Sequence, residues 1–194
     1  MWETRQIGEG AIKYETMRKA PLFVVFVLCA PPLLAQHKTY SVTEFFLGVT
    51  MKFYRDGSKI RQDTPDNVSI IDRSGEPKGV SWDPSKSPVE CVKLQAIAGS
   101  NDVFDTSKEM MKQLGSAKET GTETFLDREA KVLEGATPDG KAKVWIDAET
   151  GLLLKALLYP KDGGAPQTFL EVKAISFDEP EEELFKLPSS CPAQ

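Results

Sequence analysis

Few residues in this sequence of 194 are equipped to do chemistry. It holds one histidine, His37, and three cysteines, Cys29, Cys91 and Cys191. A Ser-His-acid triad or a Cys-His pair needs its imidazole held rigidly beside the nucleophile. His37 stands next to the start of the expected mature chain, where termini fray. A lone histidine also excludes multi-histidine zinc sites, and neither Cys-x-x-Cys nor His-Glu-x-x-His occurs. There is no glycine-rich phosphate loop, because Gly121 and Gly135 stand alone. No metal, cofactor or catalytic residue is expected.

Carboxylates are the remaining candidate catalysts. Asp147 and Glu149 are close in sequence, as are Asp178 and the Glu179–Glu183 group. Paired carboxylates cleave glycosides when a cleft sets their separation, which sequence spacing does not report. The alternative is a solvated turn and a solvated helix start. Calcium would need a regular ligand spacing that is absent here. Asn67-Val68-Ser69 fits a glycosylation sequon, a match too common to assign. Among the aromatics, Phe53, Tyr54, Trp82, Trp145, Phe169 and Phe177 could line an apolar pocket or simply form core.

The N-terminus points to export. Met17-Arg18-Lys19 is a basic start, Leu22 to Ala30 is an apolar run, and Pro31-Pro32-Leu33-Leu34-Ala35 supplies helix breakers and a small residue. The run is nine residues long, whereas a spanning helix needs about 20 apolar residues. Residues 1–35 therefore read as a signal peptide cleaved after Ala35, with Met17 as a possible true start. Leu28 before Cys29 argues against lipidation, which wants a small residue there. The mature chain, residues 36–194, is expected to be one domain, periplasmic or secreted. It keeps two cysteines, Cys91 and Cys191, and in an oxidising compartment such a pair most often forms a disulfide. The alternative is two buried free thiols.

Composition agrees with one globular domain: 40% of residues are hydrophobic and 27% charged. A net charge of −5, from 24 Lys+Arg against 29 Asp+Glu, gives no electrostatic footprint for nucleic acid. It also opposes docking on an anionic membrane by charge.

Turn signals recur at Asp56-Gly57, Ser74-Gly75, Asp139-Gly140, Thr150-Gly151 and Asp162-Gly163-Gly164. The runs between them are rich in β-branched and aromatic residues, which predicts an antiparallel meander. The predicted strands are Met51–Arg55 with Lys59–Arg61, Val68–Asp72, Ala130–Glu134 with Lys141–Asp147, Leu152–Tyr159 and Thr168–Phe177. In Lys141–Asp147, Ala142, Val144 and Ile146 alternate with Trp145 and its neighbours, which places Trp145 on a second buried face or against a cavity. Leu152–Tyr159 is apolar on both faces, so a helix, a second layer or a ligand must cover each side. One helix is predicted around Ser107–Leu114, capped by Asp105 or Thr106 and ended by Gly115, with Phe104, Met110, Met111 and Leu114 on its apolar side. Ser41–Leu47 reads equally as helix or strand, and Pro180–Phe185 as one helical turn.

Three segments carry a family resemblance. They are Met51-Lys52-Phe53-Tyr54-Arg55-Asp56-Gly57-Ser58-Lys59-Ile60-Arg61, the strand-turn-strand Lys143-Val144-Trp145-Ile146-Asp147-Ala148-Glu149-Thr150-Gly151-Leu152-Leu153-Leu154-Lys155, and the tail Leu184-Phe185-Lys186-Leu187-Pro188. Together they resemble the outer-membrane lipoprotein carrier superfamily, in particular its exported bacterial relatives. The resemblance implies an α+β, mostly β fold: a curved antiparallel sheet, an unclosed half-barrel, with helices packed on its concave side. It also implies a cavity that holds acyl chains. The arginine that governs lid closure in carriers has two candidates by position, Arg55 and Arg61, and a structural ion pair is the favoured role for either. A Cys91–Cys191 bridge departs from the carriers and would restrict opening.

The expectation is a monomeric, non-enzymatic periplasmic protein. It would bind a lipid, a lipoprotein acyl chain or another hydrophobic ligand in a cavity lined by Phe53, Trp145, Leu154 and Phe169. The alternatives are an envelope scaffold with a filled core and a carboxylate-based hydrolase.

Overall fold

The computed structural model describes residues 38–94, 102–114 and 116–191. The expected signal peptide, Cys29, His37 and Gly115 lie outside them.

Eleven strands form one antiparallel sheet: β1 (Thr39–Phe46), β2 (Val49–Asp56), β3 (Lys59–Asp63), β4 (Val68–Asp72), β5 (Lys78–Trp82), β6 (Cys91–Leu94), β7 (Lys118–Phe125), β8 (Arg128–Thr137), β9 (Gly140–Asp147), β10 (Leu153–Pro160) and β11 (Gln167–Ser176). Their spatial order is β6-β5-β4-β3-β2-β1-β11-β10-β9-β8-β7. The sheet is not closed into a barrel, since β6 and β7 are its two edges. Strands adjacent in sequence are adjacent in space with one exception: β6 to β7 runs from one edge to the other. That crossover carries α1 (Val103–Gln113), the one α-helix among the described residues.

Every strand read from the sequence is present, and the Asp56-Gly57 and Asp139-Gly140 turns close the expected hairpins. Ser41–Leu47 resolves as strand β1, consistent with its β-branched and aromatic content. Three strands escape the sequence pattern. β5 contains a glycine, β6 is four residues long, and β7 reads Lys-Glu-Thr-Gly-Thr-Glu-Thr-Phe with almost every side chain exposed. The helix begins earlier than expected. Its N-cap is Asp102, not Asp105 or Thr106, and the Asp102 carboxylate accepts from the Phe104 N–H at 2.8 Å. The resemblance implied several helices. Among the described residues α1 is joined only by a 3-10 turn, Glu182–Phe185, at the tail position where one helical turn was expected.

The core has two parts on opposite faces. On one face, α1 packs over the central strands, with Tyr40, Val42, Phe53, Phe104, Leu114, Ala142, Val144, Ala156 and Leu170 among its buried members. On the other face, Val68 and Ile70 of β4 and Val80 and Trp82 of β5 pack beneath Leu187 and Cys191 of the tail. This explains why β4 is buried along both faces, since Ile71 alternates with Ile70 and is covered on the opposite side.

The disulfide Cys91–Cys191 fastens that tail to edge strand β6 across 100 residues. A bridge closing so long a loop stabilises by about 4–5 kcal/mol in the chain-entropy account, less where the unfolded chain stays compact. Reduction, or the double substitution Cys91→Ala/Cys191→Ala, is expected to lower the urea midpoint by the equivalent of about 2–4 kcal/mol while far-ultraviolet circular dichroism stays native.

Candidate functional site

The helix is fixed at both ends. At its start, Asp102 is fully buried and its carboxylate pairs with the Arg55 guanidinium on β2. Tyr40, also fully buried, packs edge-on to Phe104 with ring centroids 5.5 Å apart. Burial, and then the Asp102 charge, push the Tyr40 hydroxyl far above its ordinary pKa, so it stays neutral. Farther along α1, Ser107 Oγ accepts from the Leu153 N–H of β10 at 3.0 Å. At the helix end, Gly135 of β8 lets the chain approach closely, because a Cβ there would lie 2.8 Å from the Leu114 carbonyl oxygen. Of the two candidate arginines, Arg55 is thus the one bound to the helix. Arg61 instead pairs with Asp63 and donates to the Leu184 carbonyl at 2.6 Å, holding the tail.

Between the second half of α1 and the ends of β9, β10 and β11 lies a cavity of about 360 Å³. Met110 and Leu114 form its roof, and Ala142, Val144, Leu153, Ala156, Leu158 and Phe169 its floor. Its polar groups are Gln113 at the end of α1 and Thr137, Asp139, Lys141, Tyr159 and Gln167 at the strand ends. The volume is within the range of small-molecule sites, and the lining is mainly apolar with few polar groups.

Two bulges decide which residues reach this wall. In β10 the register against β9 shifts between Leu153 and Lys155. Leu153 therefore joins Ala156 and Leu158 on the cavity wall, and Leu154 is buried in the core instead. In β11 the register against β10 shifts where Leu170 and Thr168 face consecutive residues, leaving Phe169 as the extra residue. Phe169 lines the cavity and stacks edge-on with Phe46 at 5.0 Å. Of the four residues expected at a cavity, Phe169 is on this wall. Phe53 is buried on β2 opposite Val42. Trp145 projects from β9 on the side opposite Val144. Its indole N–H donates to Glu123 at 2.8 Å, and the Lys143 and Lys155 ammonium groups lie 4.8 and 5.5 Å from its ring centroid. The hydrogen bond from Trp145, with the lysines nearby, lowers the Glu123 pKa.

The carboxylates weighed for hydrolysis take other roles. Asp147 is buried, and its carboxylate accepts from Arg128, from the Thr150 N–H at 2.8 Å, from Thr150 Oγ1 at 2.9 Å and from the Glu149 N–H at 3.1 Å. Burial pushes its pKa up, but these bonds, led by Arg128, outweigh that and hold it below the ordinary carboxylate value. Such a group is a poor proton donor near neutrality. Asp147 caps the β9–β10 turn, in which Gly151 adopts φ +74°. The Trp-x-Asp-x-x-Thr-Gly-Leu pattern is this turn. Glu149, exposed, adds a second contact to Arg128 at 2.8 Å.

Glu44 went unremarked in the sequence. It lies on β1 in the row of Tyr40, Val42 and Phe46, next to Val172 and Met51 on the neighbouring strands. It is 6% exposed and has no hydrogen bond or ion pair among the described residues. Burial raises its pKa to about 7.

No family model matches the chain, and no curated protein matches it. Solved structures do. An uncharacterized conserved protein from Thermus thermophilus is 12% identical, over 80% of this chain and 88% of that one, with a TM-score of 0.50. That likeness shows the fold. The Pseudomonas aeruginosa MucA/MucB complex is 14% identical over 84% of this chain, with a TM-score of 0.45. This chain spans 60% of that one's length. A putative outer membrane lipoprotein-sorting protein domain from Vibrio parahaemolyticus is 12% identical, over 76% of this chain and 87% of that one, with a TM-score of 0.27.

The two carboxylates predict opposite pH effects. Glu44, raised in the folded state, contributes stability that is fully present below its unfolded pKa and lost as pH rises to about 7. The loss amounts to about 3 kcal/mol between its ordinary value and neutrality, and Glu44→Gln abolishes it in urea melts across that range. Asp147, depressed, contributes stability above the ordinary carboxylate pKa of about 4 that is lost as pH falls through its lower folded value. Asp147→Asn is expected to cost about 2–4 kcal/mol at neutral pH, by leaving Arg128 half-partnered and the turn uncapped.

Proposed function

We propose that this chain is an exported, non-enzymatic binding protein that holds one hydrophobic ligand, a lipid or lipoprotein acyl chain, in the cavity beneath α1. One observation carries the reading: a mainly apolar cavity between helix and sheet with few polar groups in its lining. Burying a chain there yields roughly 0.8 kcal/mol per methylene, so a dry site suffices for affinity without any catalytic group. The basic-apolar-breaker order of residues 17–35 supports export to the periplasm or beyond, and an oxidising compartment accords with the Cys91–Cys191 bridge.

The resemblance of the sequence motifs to the lipoprotein carriers points the same way. Arg55 bound to the helix N-cap and the tail fastened by the disulfide hold two elements against the sheet. Access to the cavity is therefore by the strand ends near Lys141 and Tyr159. Phe53, Trp145 and Leu154 then support the core around the site, and Phe169 touches the ligand.

The full chain, expressed for export in a bacterium and purified without detergent, is expected to begin at Gln36. In native mass spectrometry it should carry a bound lipid that organic extraction removes. A clean unliganded mass, together with no uptake of a neutral apolar fluorophore, would put the envelope-scaffold reading ahead.

A further inference from the structure

We propose that the site selects its ligand by head group: Lys141 receives the anionic head of a single-chain amphiphile whose tail fills the apolar cavity. This rests on the cavity reading above and adds the chemistry of the ligand's polar end. Beside the apolar cavity lies a second one of about 540 Å³, bordered by Ser116, Lys118, Thr120, Glu134 and Lys143. The two share Lys141, Ala142 and Tyr159. Lys141 is thus the one ionisable cation that borders both: it stands in the row of Trp145, opposite Val144, and meets the apolar cavity at its strand-end rim, and this exposed residue has no hydrogen bond or ion pair among the described residues. Lys143, by contrast, is engaged by Glu123 at 3.4 Å and by the Trp145 ring. The carboxylates nearby, Asp139 and Glu134, each border a single cavity.

Desolvation fixes the orientation. The cavity floor and roof carry no charged side chain, so an ionised head group cannot enter without losing its hydration. It stays at the strand ends, where Lys141 offers three donors and a positive charge. Size limits the tail. A cavity of about 150 Å³ accommodates benzene, so 360 Å³ corresponds to one chain on the order of a dozen carbons.

The test uses the delipidated full-length exported protein at about pH 8, with three probes of one tail length: dodecanoate, dodecan-1-ol and dodecyltrimethylammonium. Each displaces the neutral fluorophore N-phenyl-1-naphthylamine, at low and at high salt. Dodecanoate is expected to bind about five- to tenfold tighter than dodecan-1-ol, with the preference shrinking in salt. Lys141→Gln should abolish the preference, and Lys141→Glu should shift it to dodecyltrimethylammonium. An unchanged affinity for dodecan-1-ol in both variants reports an intact cavity. Equal binding of all three probes by the wild-type chain, or a preference that survives Lys141→Gln, overturns the head-group inference and leaves the cavity reading standing. Failure of every probe to displace or bind overturns the cavity reading itself.

Discussion

Because β6 and β7 occupy opposite edges of one sheet, the chain between them must cross a whole face. That crossing brings α1 over the central strands, and the apolar cavity lies between the end of the helix and β9, β10 and β11. The Arg55–Asp102 pair sets where the helix begins. Asp102 serves two purposes at once, capping α1 and giving the only slightly exposed Arg55 its counter-charge. Removing one partner of such a buried pair leaves a charge without compensation, a large penalty in a domain of this size. The start of the helix is therefore rigidly placed over β2.

The two faces of the sheet solve different problems. On the α1 face the centre of the sheet is covered by a helix. On the opposite face the β4–β6 end is covered by the tail, which the disulfide and the Arg61–Leu184 hydrogen bond hold down. The edges are protected by other means. β7 is polar and bulged, and β6 is four residues long and tied to the tail. These are ordinary devices against strand addition by a second chain. The exposed polarity of β7 thus reflects its place at the edge and also explains why its sequence does not read as a strand.

The motif that most invites a catalytic reading has a structural explanation. Asp147, Thr150 and Gly151 form a turn whose side-chain and backbone bonds close on themselves, with Arg128 neutralising the buried carboxylate. Three of the four elements in Trp-x-Asp-x-x-Thr-Gly serve that turn. The fourth, Trp145, packs on the face away from the cavity beneath two lysines. A resemblance built on such patterns carries the fold, since the same backbone turn needs the same residues, and it carries no activity.

Local patterns determined the elements. Asp-Gly turns, β-branched runs and a single capped helical stretch marked most strands and α1, because each depends on neighbours within a few residues. Cys91 and Cys191 pointed to their own bridge, and the doubly apolar Leu152–Tyr159 showed that both sides of one strand had to be covered. The tertiary structure decided which residues meet. Alternation placed Leu154 with Ala156 and Leu158, but a bulge transferred that place to Leu153, and a bulge is set by strand pairing at long range. Alternation left Trp145 with two options, and only Glu123 from the distant β7 resolved them. Asp102 and Glu44 gave no sign in the sequence, and Arg55 stood there beside Arg61 as one of two candidates, since their burial and pairing depend on strands and a helix far apart along the chain. Chemistry of that kind becomes visible only when the crossover has folded the helix onto the sheet.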